Sequence, residues 1–295
     1  MPNRPNLRAH GRLIFLLLLS LTFAGCATTT RNATSVVDYL YPNTREPVVA
    51  PSVPVLTLPV RMGIAFVPGA VRDDQSGRPL QSQRRGFALT EKRRMDVMQE
   101  VAKHFKKYPF VKDIELIPSS YLTARGGFVN LDQLRTMYGI NVIALLSYDQ
   151  TQFTDEGLLS LAYWTIVGAY VIQGEKNDTH TMLDAVVFDI PSRKMLFRAP
   201  GTSLVKGSAT PVNLSEQLRV DSEAGFNKAT GEMIANLDVQ LAAFRERVKE
   251  RPTEYRVVPT EGYRGGGVGG GALDAFMLAL LAILGGGFLW RRRRG

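Results

Sequence analysis

The sequence predicts an α/β fold, a mixed sheet with packing helices, followed by a C-terminal transmembrane helix. Three observations carry this reading. Short β-branched runs alternate with amphipathic stretches across residues 60–250. A final amphipathic stretch places Phe226, Met233, Leu237, Leu241, Phe244 and Val248 on one helical face. Residues 272–290 are almost wholly apolar and are followed by four arginines. At 295 residues, 45% hydrophobic and 21% charged, the chain fits one or two globular domains and excludes disorder or a polytopic membrane protein.

Each element has a local reason. Val60 to Val67 (VRMGIAFV) reads as a strand ended by Pro68-Gly69, and residues 72–90 as a polar loop. Thr90 can cap a helix carrying Met95, Met98, Val101, Ala102 and Phe105 on one face. Lys103, Lys106 and Lys107 then form its wet face and compensate the dipole at its C-terminal end. Val111 to Pro118 is a second strand. Asn130 with Gln133 forms a capping-box pattern for a short helix ending at Gly139, and Asn141 to Tyr148 an interior strand. Leu183 to Ile190 and Lys194 to Pro200 flank a Pro-Ser-Arg turn and predict a hairpin. The spacing of the last helix also suits a coiled-coil seam, but barely three heptads are present, which favours a core-facing helix.

The order of these elements, with LDQLRTMYGINVIALL and VVFDIPSRKMLF, resembles the periplasmic α/β domain of the curli-secretion lipoprotein and of the lipoprotein activators of peptidoglycan synthases. Gly157 to Gly174 (GLLSLAYWTIVGAYVIQG) carries no charge. Its β-branched and aromatic content favours a buried strand, with a membrane-inserting or partner-binding hairpin as the alternative.

The two ends are more specific. Residues 1–12 are basic, Leu13 to Phe23 apolar, and Phe23-Ala24-Gly25 precede Cys26, the only cysteine. This is a secretory signal in form. Its small residues before Cys26 resemble the bacterial lipobox, which implies cleavage between Gly25 and Cys26 and acylation (palmitate) of the Cys26 thiol. A diacylated cysteine meets the two-signal requirement for stable anchoring. Five prolines between Pro42 and Pro59 make residues 26–59 a Thr/Pro-rich tether. The sequons at Asn32, Asn177 and Asn213 are chance matches in a bacterial chain.

At the other end Gly265, Gly266, Gly267, Gly269, Gly270 and Gly271 precede the apolar segment, which reaches about 28 Å at 1.5 Å per residue. Asp274 and Trp290 sit at its two edges, and Arg291, Arg292, Arg293 and Arg294 stay cytoplasmic by the positive-inside rule. Glycines, apolar helix and basic cluster together resemble the GlyGly-CTERM sorting signal, which a rhomboid-type intramembrane protease, rhombosortase, removes. With the lipobox, the chain resembles a rhombotarget lipoprotein. The resulting organisation is a signal peptide over 1–25, the tether over 26–59 and an envelope domain over 60–250. A Gly-rich processing region over 251–271, a transmembrane helix over 272–290 and a basic tail over 291–295 follow.

The net charge of +9 does not point to nucleic acid, because each end contributes +3 (Arg4, Arg8 and Arg12 in front, the arginine cluster less Asp274 behind). One cysteine excludes an internal disulfide framework, and three histidines leave little for a metal or a triad. No Gly-rich phosphate loop, His-Glu-x-x-His or Gly-x-Ser-x-Gly occurs. His104 and His180 read as surface histidines, Arg125-Gly126-Gly127 as a turn, and Asp73-Asp74 and Asp155-Glu156 as solvated loop carboxylates. The expectation is an exported, non-enzymatic envelope lipoprotein without cofactor or metal. Its partners are membrane lipid through Cys26, lipoprotein-processing enzymes, a rhomboid-type protease and an envelope protein or polymer. The precursor belongs to the inner membrane and the mature form to the outer membrane or cell surface. The alternatives are an outer-membrane secretion or pore component inserting residues 157–174, and a hydrolase.

Overall fold

The computed structural model describes residues 28–42, 52–69, 89–156, 175–210, 212–260 and 263. In chain order these form β1 (Thr28–Ala33), α1 (Val36–Leu40), β2 (Val55–Leu58), β3 (Val60–Phe66), α2 (Glu91–Lys106) and β4 (Val111–Ile117). Then come α3 (Gly127–Tyr138), β5 (Val142–Glu156), β6 (Glu175–Asp189), β7 (Lys194–Ala209), α4 (Leu214–Glu250) and β8 (Arg256–Pro259). The fold is mixed α/β. The main sheet runs β4-β3-β5-β6-β7, with β1 added beside β5, and β2 and β8 form a separate parallel pair.

β3 lies parallel to β4 and β5, whereas β5, β6 and β7 form an antiparallel meander. The strands of the meander, 15, 15 and 16 residues long, each extend about 50 Å at 3.3 Å per residue. β5 changes neighbour halfway along one side. Val142–Leu146 pair with β3, and Asp149–Thr154 pair with β1. The half beside β3 is the lower half of the sheet, and the half beside β1 the upper.

In the lower half both faces of β3, β5 and β6 are covered. One face carries Ile64, Phe66, Ala144, Leu146, Ala185 and Phe197 against Met98, Val101 and Phe105 of α2 and Met233, Leu237 and Phe244 of α4. The other carries Ala65, Ile143, Leu145, Val186 and Phe188 against Tyr39 and Leu40 of α1 and Phe128, Leu131 and Leu134 of α3. Period-2 alternation along β3 and β5 feeds both cores because both faces of these strands are apolar there. α2 begins at its expected cap, the Thr90 hydroxyl accepting from the Arg93 amide at 3.3 Å. α3 ends at Gly139, which adopts φ +62°, the left-handed conformation open to glycine.

α4, at 37 residues, is about 55 Å long and lies along the whole meander. In the upper half its contact with the sheet is polar. Gln150 Nε2 donates to Thr181 Oγ1 at 2.8 Å and to the Ser222 carbonyl at 3.0 Å. Gln152 Nε2 reaches Ser222 Oγ at 2.8 Å and the Leu218 carbonyl at 2.9 Å. Close approach is set lower down by Gly201, where a Cβ would stand 2.1 Å from the Ala229 carbonyl oxygen and 2.3 Å from the Met233 nitrogen.

Several expectations are corrected. Within residues 26–59, read as a tether, β1 is a strand of the sheet, α1 contributes Tyr39 and Leu40 to a core, and β2 pairs with β8. β8 also lies inside the stretch read as a Gly-rich processing region. The strand expected over 141–148 runs on to Glu156, and the hairpin extends over Glu175–Ala209 around the expected turn. Those extensions are invisible to hydrophobic patterning because their inward residues are Gln, Thr and Asn. Asn130 does not cap a helix; α3 starts at Gly127, and Asn130 is buried within it. Its Oδ1 accepts from Tyr39 Oη and the Thr123 amide, each at 2.9 Å, so it ties α1 and the 119–123 turn to α3. Asp73-Asp74, residues 157–174 and the segment 272–290 lie outside the described residues. Among the described residues no helix is long and apolar enough to cross a membrane.

Gly201→Ala should lower stability by about 2–3 kcal/mol, because its methyl group meets helix backbone that cannot move aside cheaply. Urea unfolding of the two proteins measures this; a change below about 0.5 kcal/mol would mean that α4 is not seated on β7 as described.

Candidate functional site

Where the two halves of the sheet meet, no helix other than α1 lies over the face opposite α4 among the described residues. The floor of the resulting groove comes from Ser147 and Asp149 of β5, Met182, Asp184 and Val186 of β6, and Met195 and Arg198 of β7. β1 and α1 form its wall. The open groove encloses about 1300 Å³. That is large against the 300–1,000 Å³ typical of small-molecule pockets. Its width and mixed lining suit an extended chain or a protein surface better than a small compound.

Two ion pairs punctuate it. Arg31 of β1 forms a two-point contact with Asp149, Nε to Oδ1 at 2.9 Å and Nη2 to Oδ2 at 2.5 Å, which fastens the N-terminal strand to the sheet. Arg31 is exposed and Asp149 only partly buried, so the net stabilisation is modest, about 0–1 kcal/mol. Arg198 Nε donates to Asp184 Oδ2 at 2.6 Å. Asp184 is 7% exposed, and its Oδ1 has no hydrogen-bond partner. Burial pushes its carboxyl above the usual aspartate value, against the pull of Arg198. A guanidinium with one side open beside a half-satisfied carboxylate offers a donor and an acceptor to a polar ligand. Exposed Met182 and Met195 and the half-exposed ring of Phe153 add adaptable apolar contact on the same face.

A second polar cluster joins α2 to α4. His104 Nε2 lies 2.8 Å from Asp238 Oδ1, Lys107 Nζ donates to Asp238 Oδ2 at 2.9 Å, and the Tyr108 hydroxyl also donates to Asp238. His104 is not the surface histidine expected, since its side chain is only 10% exposed. Burial lowers its pKa, and burial with the Asp238 contact pushes Tyr108 up to about 12. The arrangement is a clasp between helices. His180 is exposed on the upper sheet, its ring edge-on to Phe153 with centroids 5.6 Å apart. Among the described residues no group of three His, Cys, Asp or Glu side chains could hold a metal ion.

An apolar void of about 90 Å³ lies beneath β2 and β8, bounded by Leu56, Met62, Phe105, Val142, Phe197 and Phe244 among others. It is smaller than the roughly 150 Å³ apolar cavity that admits benzene. Size decides against it as a ligand site. The residues singled out at the two ends (Gly25, Cys26, the glycines from Gly265 to Gly271, and Arg291 to Arg294) lie outside the described residues. Sequence reasoning missed the groove, whose one signal was the change from apolar to polar alternation after Tyr148.

No protein-family model matches the chain, and no curated protein matches it. Among solved structures it is similar to the dodecamer of a PelC point variant from Paraburkholderia phytofirmans, at 9% identity and a TM-score of 0.23, over 66% of this chain and 95% of that one. A TM-score of that size carries no inference about fold, assembly or function.

The Asp184 carboxyl gives a pH test. Its raised native pKa means that the folded protein holds a proton the unfolded chain has released, so its ionisation opposes folding. Its contribution to stability is largest below the ordinary value of 3.8 and is lost as pH rises through the raised native value. Urea titrations at pH values from 3.8 upward should therefore give a shallower decline in Asp184→Asn than in wild type. Equal slopes would contradict the burial assigned to this carboxyl.

Proposed function

We propose that this chain is an exported bacterial envelope lipoprotein of the rhombotarget kind, acylated at Cys26 and trimmed within Gly265–Gly271 by a rhomboid-type protease. Its α/β domain acts as a non-enzymatic binding module, akin to the domains of curli-secretion and synthase-activator lipoproteins. It binds an envelope protein or polymer in the groove that β1 and α1 wall off over the middle of the sheet. The observation that carries the reading is the position of β1. Thr28, two residues after Cys26, is already paired with Thr154 at the upper end of β5. A lipid on Cys26 would therefore hold the domain by that end with almost no slack. The groove floor would then begin at Asp149 and Met182, roughly 16 Å below Thr154, and run away from the membrane surface toward Met195.

The other terminus leaves from the opposite end. β8 pairs with β2, and the Thr260 amide donates to the Leu58 carbonyl at 2.8 Å, just before β3 begins at Val60. The roughly 12 residues from Val142 to Thr154 separate these levels by about 40 Å. Residues 260–271 could span that distance only when almost fully stretched. A chain anchored at both ends is thus strained or tilted, and proteolysis within Gly265–Gly271 releases it to follow its lipid to the outer membrane. Gly also lowers the cost of the helix unwinding that an intramembrane protease requires.

A second reading, an outer-membrane secretion or pore component, has its own support. β5 and β6 remain paired up to Glu156 and Glu175, so the uncharged segment 157–174 joins two paired strands at the end of the sheet nearest Cys26. Bilayer-restricted labelling of that segment in the mature protein distinguishes the two. Labelling favours the pore component, and its absence the binding module.

Intact mass spectrometry of the mature protein tests the first reading at both ends. The expected species starts at a diacylated Cys26 and ends between Gly265 and Gly271. Cys26→Ser should abolish acylation and leave the signal peptide uncut. Stoichiometric recovery of a C-terminal peptide containing Trp290 from mature wild-type protein would overturn the trimming.

A further inference from the structure

The upper half of the sheet has four strands in the order β1-β5-β6-β7, alternating in direction. Among the described residues both outer strands are edges. Unpaired edges are sites for pairing with another chain unless something blocks them. α4 blocks the lower part of β7. Arg247 donates to the Leu196 carbonyl at 3.1 Å and Asn236 to the Pro200 carbonyl at 2.7 Å, while Glu232 accepts from the Thr202 amide at 2.7 Å. From Pro200 onward the even-numbered residues thus turn their backbone groups away from β6. The blocking stops at Thr202. Leu204 and Lys206, next in phase, are exposed and have no such contact from α4.

β1 is the complementary edge. The Thr34 amide donates to the Tyr148 carbonyl at 2.8 Å, which fixes the phase: Thr30 and Asn32 face β5, whereas Thr29 and Arg31 turn their backbone groups outward. The two edges also lie at one height. Ala33 to Thr28 oppose Asp149 to Thr154, which continue across through Met182 to Asn177 and reach Thr202 to Gly207 of β7.

We propose that β1 of a second copy of this chain adds to the Thr202–Gly207 edge of β7 and joins copies head to tail into one continuous sheet. Three features select a second copy over an unrelated strand. β1 and β7 run in opposite directions, so a neighbour in the same orientation offers an antiparallel strand. The level-matched register sets Arg31 opposite Leu204 and Thr29 opposite Lys206, and these are the residues whose backbone groups point outward on each strand. Each pair can then exchange two N–H···O bonds, and neither opposes like charges. A foreign strand would satisfy β7 and leave β1 open. Because the contact joins two different surfaces, it propagates as a ring or a filament rather than closing as a dimer. Every copy then presents Thr28 at the same end. The pairing stands on backbone geometry and does not rest on the lipoprotein reading, but it gives the pore reading an interface.

Disulfide trapping of the full-length protein in its own membranes tests this. Arg31 and Leu204 of one chain sit three strand spacings apart, about 14 Å, too far for a bridge within the chain. Oxidation of the double variant Arg31→Cys/Leu204→Cys should give a ladder of dimers, trimers and larger species on a non-reducing gel. Each single variant, which retains Cys26, should give no ladder. Moving one thiol four residues along, in Arg31→Cys/Ser208→Cys, should cut the ladder at least tenfold. Adding Lys206→Pro to the first pair, which removes an outward amide without touching the β6 pairing, should do the same. Monomer alone from the double variant, with both thiols open to maleimide, would overturn the proposal. So would dimers without higher species, or equal ladders from the two registers.

Discussion

The pairing of β5 with β6 over 15 residue pairs is the constraint on which the rest of the molecule depends. Two strands of that length outrun most of what packs on them. α1, α2 and α3 pack on the lower half and stop. Among the described residues only α4 runs the full distance. One sheet is therefore asked to be a two-sided core at one end and a single-sided, solvent-facing surface at the other. The chain meets this by changing side-chain chemistry along each strand while keeping the alternation.

The change is visible on the face beneath α4. Val142, Ala144 and Leu146 of β5 give way to Gln150, Gln152 and Thr154, and Leu183 and Ala185 of β6 continue into Thr181, Thr179 and Asn177, all buried. Buried amides and hydroxyls lose free energy unless they are paired. Gln150 and Gln152 solve this by reaching across to Ser222 and the backbone of α4. Asn177 and Asp221 solve it only in part: both amide atoms of Asn177 and Oδ2 of Asp221 have no protein partner. A Cβ on Gly207, directly opposite Asn177, would sit 2.2 Å from that Asp221 oxygen, so glycine there makes room for a buried carboxylate. The upper interface is thus held by directional bonds, and the lower one by apolar burial. Among the described residues the same division leaves no helix over the outer face of the upper sheet, and the groove opens where the two halves meet.

Much of the lower half was legible in the sequence. VRMGIAFV, the Thr90 cap, Gly139 and the apolar face of α4 each follow a local rule with no competitor, and each occurs where that rule puts it. The upper half was not legible for a physical reason. Hydrophobic periodicity finds strands by the apolar residues they bury, and here the buried residues are Gln, Thr and Asn. β1 (TTTRNA) has the same difficulty: its threonines are ordinary in a linker, and only the partner strand, more than a hundred residues away, gives them a sheet to join. Asn130 failed in the opposite direction. Its spacing to Gln133 is right for a cap, yet Tyr39 and the Thr123 amide claim its oxygen first. Tertiary partners decided all three, and none of them is local in sequence.

One sheet continues from the apolar half into the polar half, with β1 as part of it. Native-state hydrogen exchange of individual amides tests this most directly. Amides of Gln150, Gln152, Thr179 and Thr181 should be slowed at least a hundredfold relative to unstructured peptide, as should those of Thr30 and Asn32, which face β5. Exchange of these amides at the rate of an unstructured chain, with Ile143 to Leu145 still protected, would contradict the account and confine the folded sheet to its lower half.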